Sequence, residues 1–146
     1  MKTLILAICL MATGLSHGVD QRLYKQHGDY KVFYSAFNSS FIAPDIAVAN
    51  NIVRGKDKGL VNIAVAKQLG IGLPTVVTGT VSNILQQSQT LEFVAVREQD
   101  TVYYLAQFEF DNEDFLTFKI RVLPESDGLE TVYPYDFKFQ KKMYLD

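Results

Sequence analysis

Several things are scarce in this 146-residue sequence. It has one cysteine, two histidines, four prolines and no tryptophan. Cys9 lies in the N-terminal apolar run, so a chain trimmed of that run would hold no cysteine at all. Disulfides, thiol catalysis and Cys-ligated zinc are then excluded together. Charge of one sign is also missing: the formal net charge is -2, with both signs scattered along the chain. No field results that would draw in nucleic acid or an anionic membrane surface. There is no apolar run of the roughly 20 residues a spanning helix needs. Internal repeats, low-complexity tracts and Pro/Ser-rich linkers are absent too, which leaves one domain as the expectation.

Against these absences stands an ordinary globular composition, 48% hydrophobic and 21% charged, enough apolar surface to offset the entropy of ordering. The N-terminus carries the clearest signal. Lys2 is followed by an apolar run from Leu4 to Ala12 and a small, polar stretch from Thr13 to Gly18. This predicts a cleaved secretory signal peptide over residues 1–18, with cut sites after Ser16 or Gly18 both presenting small residues and Gly18 preferred. Acylation of Cys9 is disfavoured, because Ile8 is too bulky for the position before a lipidated cysteine. The expected location is the periplasm, reached by export, with residues 19–146 as one domain and no membrane span.

From Gly28 onward the pattern alternates with period two between short turn clusters, which predicts an all-β, immunoglobulin-like antiparallel β-sandwich of about seven strands with one short helix. The best strand is Thr101 to Phe110, where Val102, Tyr104, Ala106, Phe108 and Phe110 share a face. Phe115 to Leu123 repeats it with Leu116, Phe118, Ile120 and Val122, and the two strands are expected to form a hairpin across Asp111-Asn112-Glu113-Asp114. The other strands are expected near 29–37, 59–68, 75–82, 90–98 and 132–141, the last with Tyr133, Tyr135, Phe137 and Phe139 on one face. Gln99-Asp100 reads as a tight hairpin, and Gly70, Gly72 and Pro74, like Pro124 and Gly128, as turns. Pro44 to Asn50 reads as a short helix opened by its proline.

Catalytic and metal constellations are thin. A Ser-His-Asp arrangement would have to join His27 to Ser39 or Ser40, and no strand-turn-helix elbow surrounds either serine. The cluster Asp111, Glu113, Asp114 lacks the glycine and spacing of a calcium loop and reads as a solvated hairpin tip. Glu92, Glu98 and Glu109 read as strand glutamates on a wet face rather than a glycosidase pair. No cofactor is expected. Arg54, Lys56 and Lys58 alternate, so an extended backbone would project all three to one side beside Gly55 and Gly59, with Asp57 weakening the field. Together with Asn38 they mark a candidate interaction surface on the segment from Asn38 to Gly59, too long for a simple hairpin. The tyrosines Tyr30, Tyr34, Tyr103, Tyr133 and Tyr135 suit both strand packing and a binding face, packing being favoured.

The run from Gly28 to Asn38 (GDYKVFYSAFN), continued by Arg54 to Ile63 (RGKDKGLVNI) and by Val102 to Ala106 (VYYLA), resembles a family of exported gammaproteobacterial proteins, the domain-of-unknown-function family 4426. The resemblance covers essentially the whole mature chain. It implies a bacterial, periplasmic protein and brings no catalytic residues with it. The function expected from all of this is a non-catalytic binding or interaction module of the bacterial cell envelope, with an envelope protein as partner. A periplasmic hydrolase whose carboxylates converge only in the fold, and a structural envelope component, are the alternatives.

Overall fold

A computed structural model describes residues 24–67, 71–126, 128 and 131–146. The expected signal peptide, Cys9 and its cleavage sites, Gln68 and Gly70 lie outside them. The frame is set where the alternation is cleanest. Strand β8 (Thr101–Glu109) buries Val102, Tyr104, Ala106 and Phe108 on one face, and β9 (Phe115–Pro124) buries Leu116, Phe118, Ile120 and Val122. The two strands do not pair with each other as a hairpin. The turn after β8 carries the chain from one sheet to the other, so their apolar faces meet across the core, with the rings of Phe108 and Phe118 edge to face at 5.1 Å.

The larger sheet has the order β1-β2-β3-β8-β7, with β4 paired to β3; the smaller has the order β10-β9-β5-β6. The remaining strands are β1 (Tyr24–His27), β2 (Tyr30–Asn38), β3 (Lys58–Lys67), β4 (Ile71–Gly72), β5 (Thr75–Ser82), β6 (Ser88–Leu91), β7 (Val94–Glu98) and β10 (Tyr135–Lys142). Every pairing is antiparallel. The protein is thus an all-β sandwich with one short α-helix, α1 (Pro44–Ala49).

Besides the missing hairpin, three further departures from the sequence reading have physical causes. The stretch expected as one strand over 90–98 is two: β6 pairs with β5 in the smaller sheet, and after Glu92-Phe93 the chain enters the larger sheet as β7 beside β8. Such crossings form the corners of sandwiches. A further strand, β1, precedes β2, joined to it through Gly28, whose φ of +56° is open to glycine at no steric cost. Tyr133 precedes β10 and is exposed, so only Tyr135, Phe137 and Phe139 of the expected aromatic face pack on the core.

The sheets are also tied by a polar contact, in which the Thr75 N–H donates to the Tyr104 hydroxyl at 2.8 Å. Strand β3 is buried on both faces. Val61, Ile63 and Val65 face the inter-sheet core, while Leu60, with Leu105 of β8, packs under Ala47 and Ile52 on the outside of the larger sheet. Gly59 is a strand residue rather than part of a flexible loop: a Cβ there would lie 2.3 Å from the Phe108 ring.

Candidate functional site

Strands β2 and β3 are antiparallel neighbours, with Asn38 opposite Gly59, and two residues suffice to join such a pair. Residues 39–57 intervene instead. A 3-10 turn (Ser39–Phe41) leads into α1, whose first residue is Pro44, where the missing N–H costs nothing. The helix ends at Ala49 with Asn50 as its cap; Asn51 beyond it is left-handed at φ +56°, and the Ile52 N–H closes back on the Ala47 carbonyl at 2.8 Å. Ala47 and Ile52 then anchor the segment on Leu60 and Leu105.

Hydrogen bonds close its neck. The fully buried Ser39 donates its hydroxyl to the Gly55 carbonyl and accepts the Gly55 N–H, both at 3.0 Å. The Gln107 amide of β8 accepts the Val53 N–H at 2.9 Å and donates to the Asn51 carbonyl at 3.3 Å. The connection is therefore fixed at its neck and middle while Phe41, Ile46, Val48 and Val53 face solvent.

Strand directions bring three other segments to this end of the sandwich. The β5–β6 turn (83–87) is organised by Asn83, whose side-chain oxygen accepts the N–H groups of Leu85 and Gln87, each at 3.0 Å. That turn holds Ile84 and Leu85 outward. The β8–β9 turn lies beside it, with the Asp114 carboxylate accepting the Asp111 N–H at 2.9 Å. The C-terminal residues follow, with the Met143 N–H on the Asp114 carbonyl and the Leu145 N–H on the Asn112 side chain. The four most exposed large apolar side chains among the described residues are Val48 (78%), Phe41 (77%), Leu85 (74%) and Ile84 (72%), and all four sit on these segments.

The residues singled out from sequence lie here too, but not as one basic face. Asn38 donates to the Tyr144 carbonyl at 2.8 Å and to the Asp146 carboxylate at 3.0 Å, tying β2 to the C-terminal residues. Arg54 donates to the Ser40 carbonyl at 3.2 Å. Lys58 opens β3 and pairs with Glu109, whose hydrogen bond holds its ammonium above the ordinary lysine range. Residues 56 and 57 form a turn, so Arg54, Lys56 and Lys58 share no extended backbone, and Lys56 alone of the three points freely outward. The sequence reading passed over Ile84-Leu85, although two large aliphatics inside the polar run Ser82 to Ser88 were a visible signal.

Among the described residues no catalytic grouping assembles. His27 stacks on Tyr135 at 4.5 Å beside the start of β2, whereas Ser39 follows its end, about 27 Å away at 3.3 Å per residue. Asp57, Glu109, Asp111 and Asp114 do line one polar cleft of about 230 Å³. Glu109 is engaged by Lys58 and Asp114 by the turn backbone. Among the described residues the only buried polar or charged side chains are Ser39 and Thr75, so no carboxylate is buried.

Residues 24–146 match the family model described as Domain of unknown function (DUF4426). The chain belongs to this family. A DUF4426 family protein from Pseudomonas aeruginosa is 32% identical, with 84% of this chain and 94% of that one covered at a TM-score of 0.75. No curated protein matches. FetP of uropathogenic Escherichia coli strain F11, recombinantly expressed in the periplasm of E. coli, is similar at 12% identity over 84% of this chain and 93% of its own, with a TM-score of 0.60. A copper-bound variant of FetP gives 12%, 82%, 92% and 0.59. At that identity the likeness to FetP shows the sandwich fold alone. Among the described residues of this DUF4426 member no group of three or more His, Cys, Asp or Glu side chains is placed to hold a metal ion, so copper is not carried over. No helix among them is long and apolar enough to cross a membrane.

Proposed function

We propose that this DUF4426 protein is an exported, non-catalytic binding module of the bacterial cell envelope that docks a protein partner through the loop end of its sandwich. The observation that carries the reading is the placement of Phe41, Val48, Ile84 and Leu85 at one end, on segments held by hydrogen bonds and by a small apolar cluster of their own. Exposed apolar groups on a mobile loop would be unremarkable. Held outward on fixed segments, they carry little ordering cost on binding, which favours association.

Charge separates a protein partner from a lipid one. Around these apolar groups Asp45, Asp57, Glu109, Asp111, Glu113, Asp114 and Asp146 outnumber Arg54, Lys56, Lys58, Lys141 and Lys142. An anionic bilayer is repelled by that balance, whereas an apolar protein surface with a basic rim is complementary to it. Export rests on the N-terminal signal pattern of Lys2, the apolar run from Leu4 to Ala12 and the small residues that follow.

The test is retention on envelope extract of the wild-type protein beside Phe41→Asp and Leu85→Asp variants. A partner identified with wild type and lost with both folded variants is the expected result. A partner retained equally by all three would overturn the assignment of this end.

A further inference from the structure

The outer face of the smaller sheet carries a feature that neither the fold nor the docking end uses. Strands β5, β9 and β10 lie side by side there, and their registers stack polar side chains in rows: Thr78, Arg121 and Asp136 in one, Thr80, Lys119 and Lys138 in the next. Arg121 and Asp136 satisfy each other in a forked pair with hydrogen bonds of 2.6 and 2.8 Å. Lys119 and Lys138 stand directly opposite one another, both exposed, and neither makes an ion pair among the described residues. Like charges facing each other across two strands are destabilising. The one carboxylate in the adjacent row is already engaged by Arg121. The same residues, with Gly79, Ile120 and Phe137, line an open depression of about 550 Å³.

We propose that this depression is an anion site, taking a phosphate-type group between the Lys119 and Lys138 ammonium ions, with Thr80 flanking Lys119 on the next strand. Two cations opposed on neighbouring strands repel each other when the site is empty and are both stabilised by one bound dianion, so the pairing is suited to the ligand rather than to the free protein. Arg121 stays with Asp136, which limits the local field to the two lysines and sets the capacity at one group. The source of the phosphate is either a free ion or a lipid headgroup.

The test is an NMR titration of the purified protein with inorganic phosphate and, separately, with phosphatidylcholine vesicles with and without phosphatidic acid, on wild type and on Lys119→Gln, Lys138→Gln and the double variant. Saturable shifts at Thr80, Lys119 and Lys138 are expected, weakened about tenfold or more by each single change. Response to phosphate identifies a free-ion site, and response to phosphatidic acid vesicles alone identifies a headgroup site. Each single variant should also melt at or above the wild-type temperature, because it relieves the repulsion; a merely structural lysine would melt lower. Absence of saturable shifts with both probes, or equal shifts in the double variant, would overturn the proposal.

Discussion

Replacing Ser39 by alanine probes the neck of the β2–β3 connection. The residue is fully buried, and its hydroxyl both donates to and accepts from the Gly55 backbone at 3.0 Å. Two net hydrogen bonds of about 1 kcal/mol each are lost, and leaving a buried N–H and C=O unpaired costs about 1–3 kcal/mol per group where water cannot reach. Gly55 is half-buried, so water compensates part of this. The expected loss is about 2–3 kcal/mol, a large share of a total stability of about 5–15 kcal/mol. In urea, with a slope of about 1–3 kcal/mol per molar, the midpoint should fall by about 1 M or more. Hydrogen exchange should accelerate at Gly55, Ile42 and Ile52, whose N–H groups depend on the closed neck. Ser40→Ala, at an exposed neighbour, should change stability by less than about 0.5 kcal/mol. A Ser39→Ala protein that loses no more than its Ser40 control, with exchange over 39–57 unchanged, would refute the reasoning.

Gly59→Ala should destabilise by about 1–3 kcal/mol in chemical denaturation, because its Cβ meets the Phe108 ring at 2.3 Å and that ring is wedged against Phe118; a neutral result would mean the ring can move aside. Glu113 sits at φ +65° on an exposed turn, so Glu113→Gly should raise stability by about 0.5 kcal/mol, the relieved left-handed strain outweighing the glycine's greater unfolded-state freedom; a lower melting temperature would contradict this. The hydrogen bond from Arg121 holds the Asp136 carboxyl below its ordinary pKa of 3.8, so the pair's contribution is present above that value and is lost as pH falls through the lowered one. Asp136→Asn should therefore melt below wild type at neutral pH, with the gap closing in acid below about pH 3.8. A gap that widens in acid would have the wrong sign.

Legibility in the sequence followed burial geometry. Strands β8 and β9 bury mainly one face, so residues 101–110 and 115–123 alternate openly. The departures came where that condition fails. At residues 88–98 the chain changes sheets at Glu92-Phe93 without a glycine or proline to mark it. Strand β1 is four residues long, too short for its alternation to stand out. The segment 38–59 was legible as a surface because of its length, and its helix because of Pro44. What the one-dimensional pattern could not supply was company. The turn bearing Ile84 and Leu85 joins that segment only because β5 and β9 run side by side, with Ser82 opposite Thr117. The lysine spacing suggested a cationic face, but a turn at 56–57 and the Lys58–Glu109 pair redirect those charges. The opposed Lys119 and Lys138 were hidden because they lie on different strands.

Docking of a protein partner at the loop end can be caught by photocrosslinking in intact cells. Photoreactive residues would replace Phe41, Val48 and Leu85 at that end, and Val76 on the outer face of the smaller sheet near the opposite end, with adducts identified by mass spectrometry. One recurring protein adduct from the three loop-end positions and none from Val76 is the expected result. An exported, folded protein that gives no adduct at the loop end, or the same adducts from Val76, would contradict it.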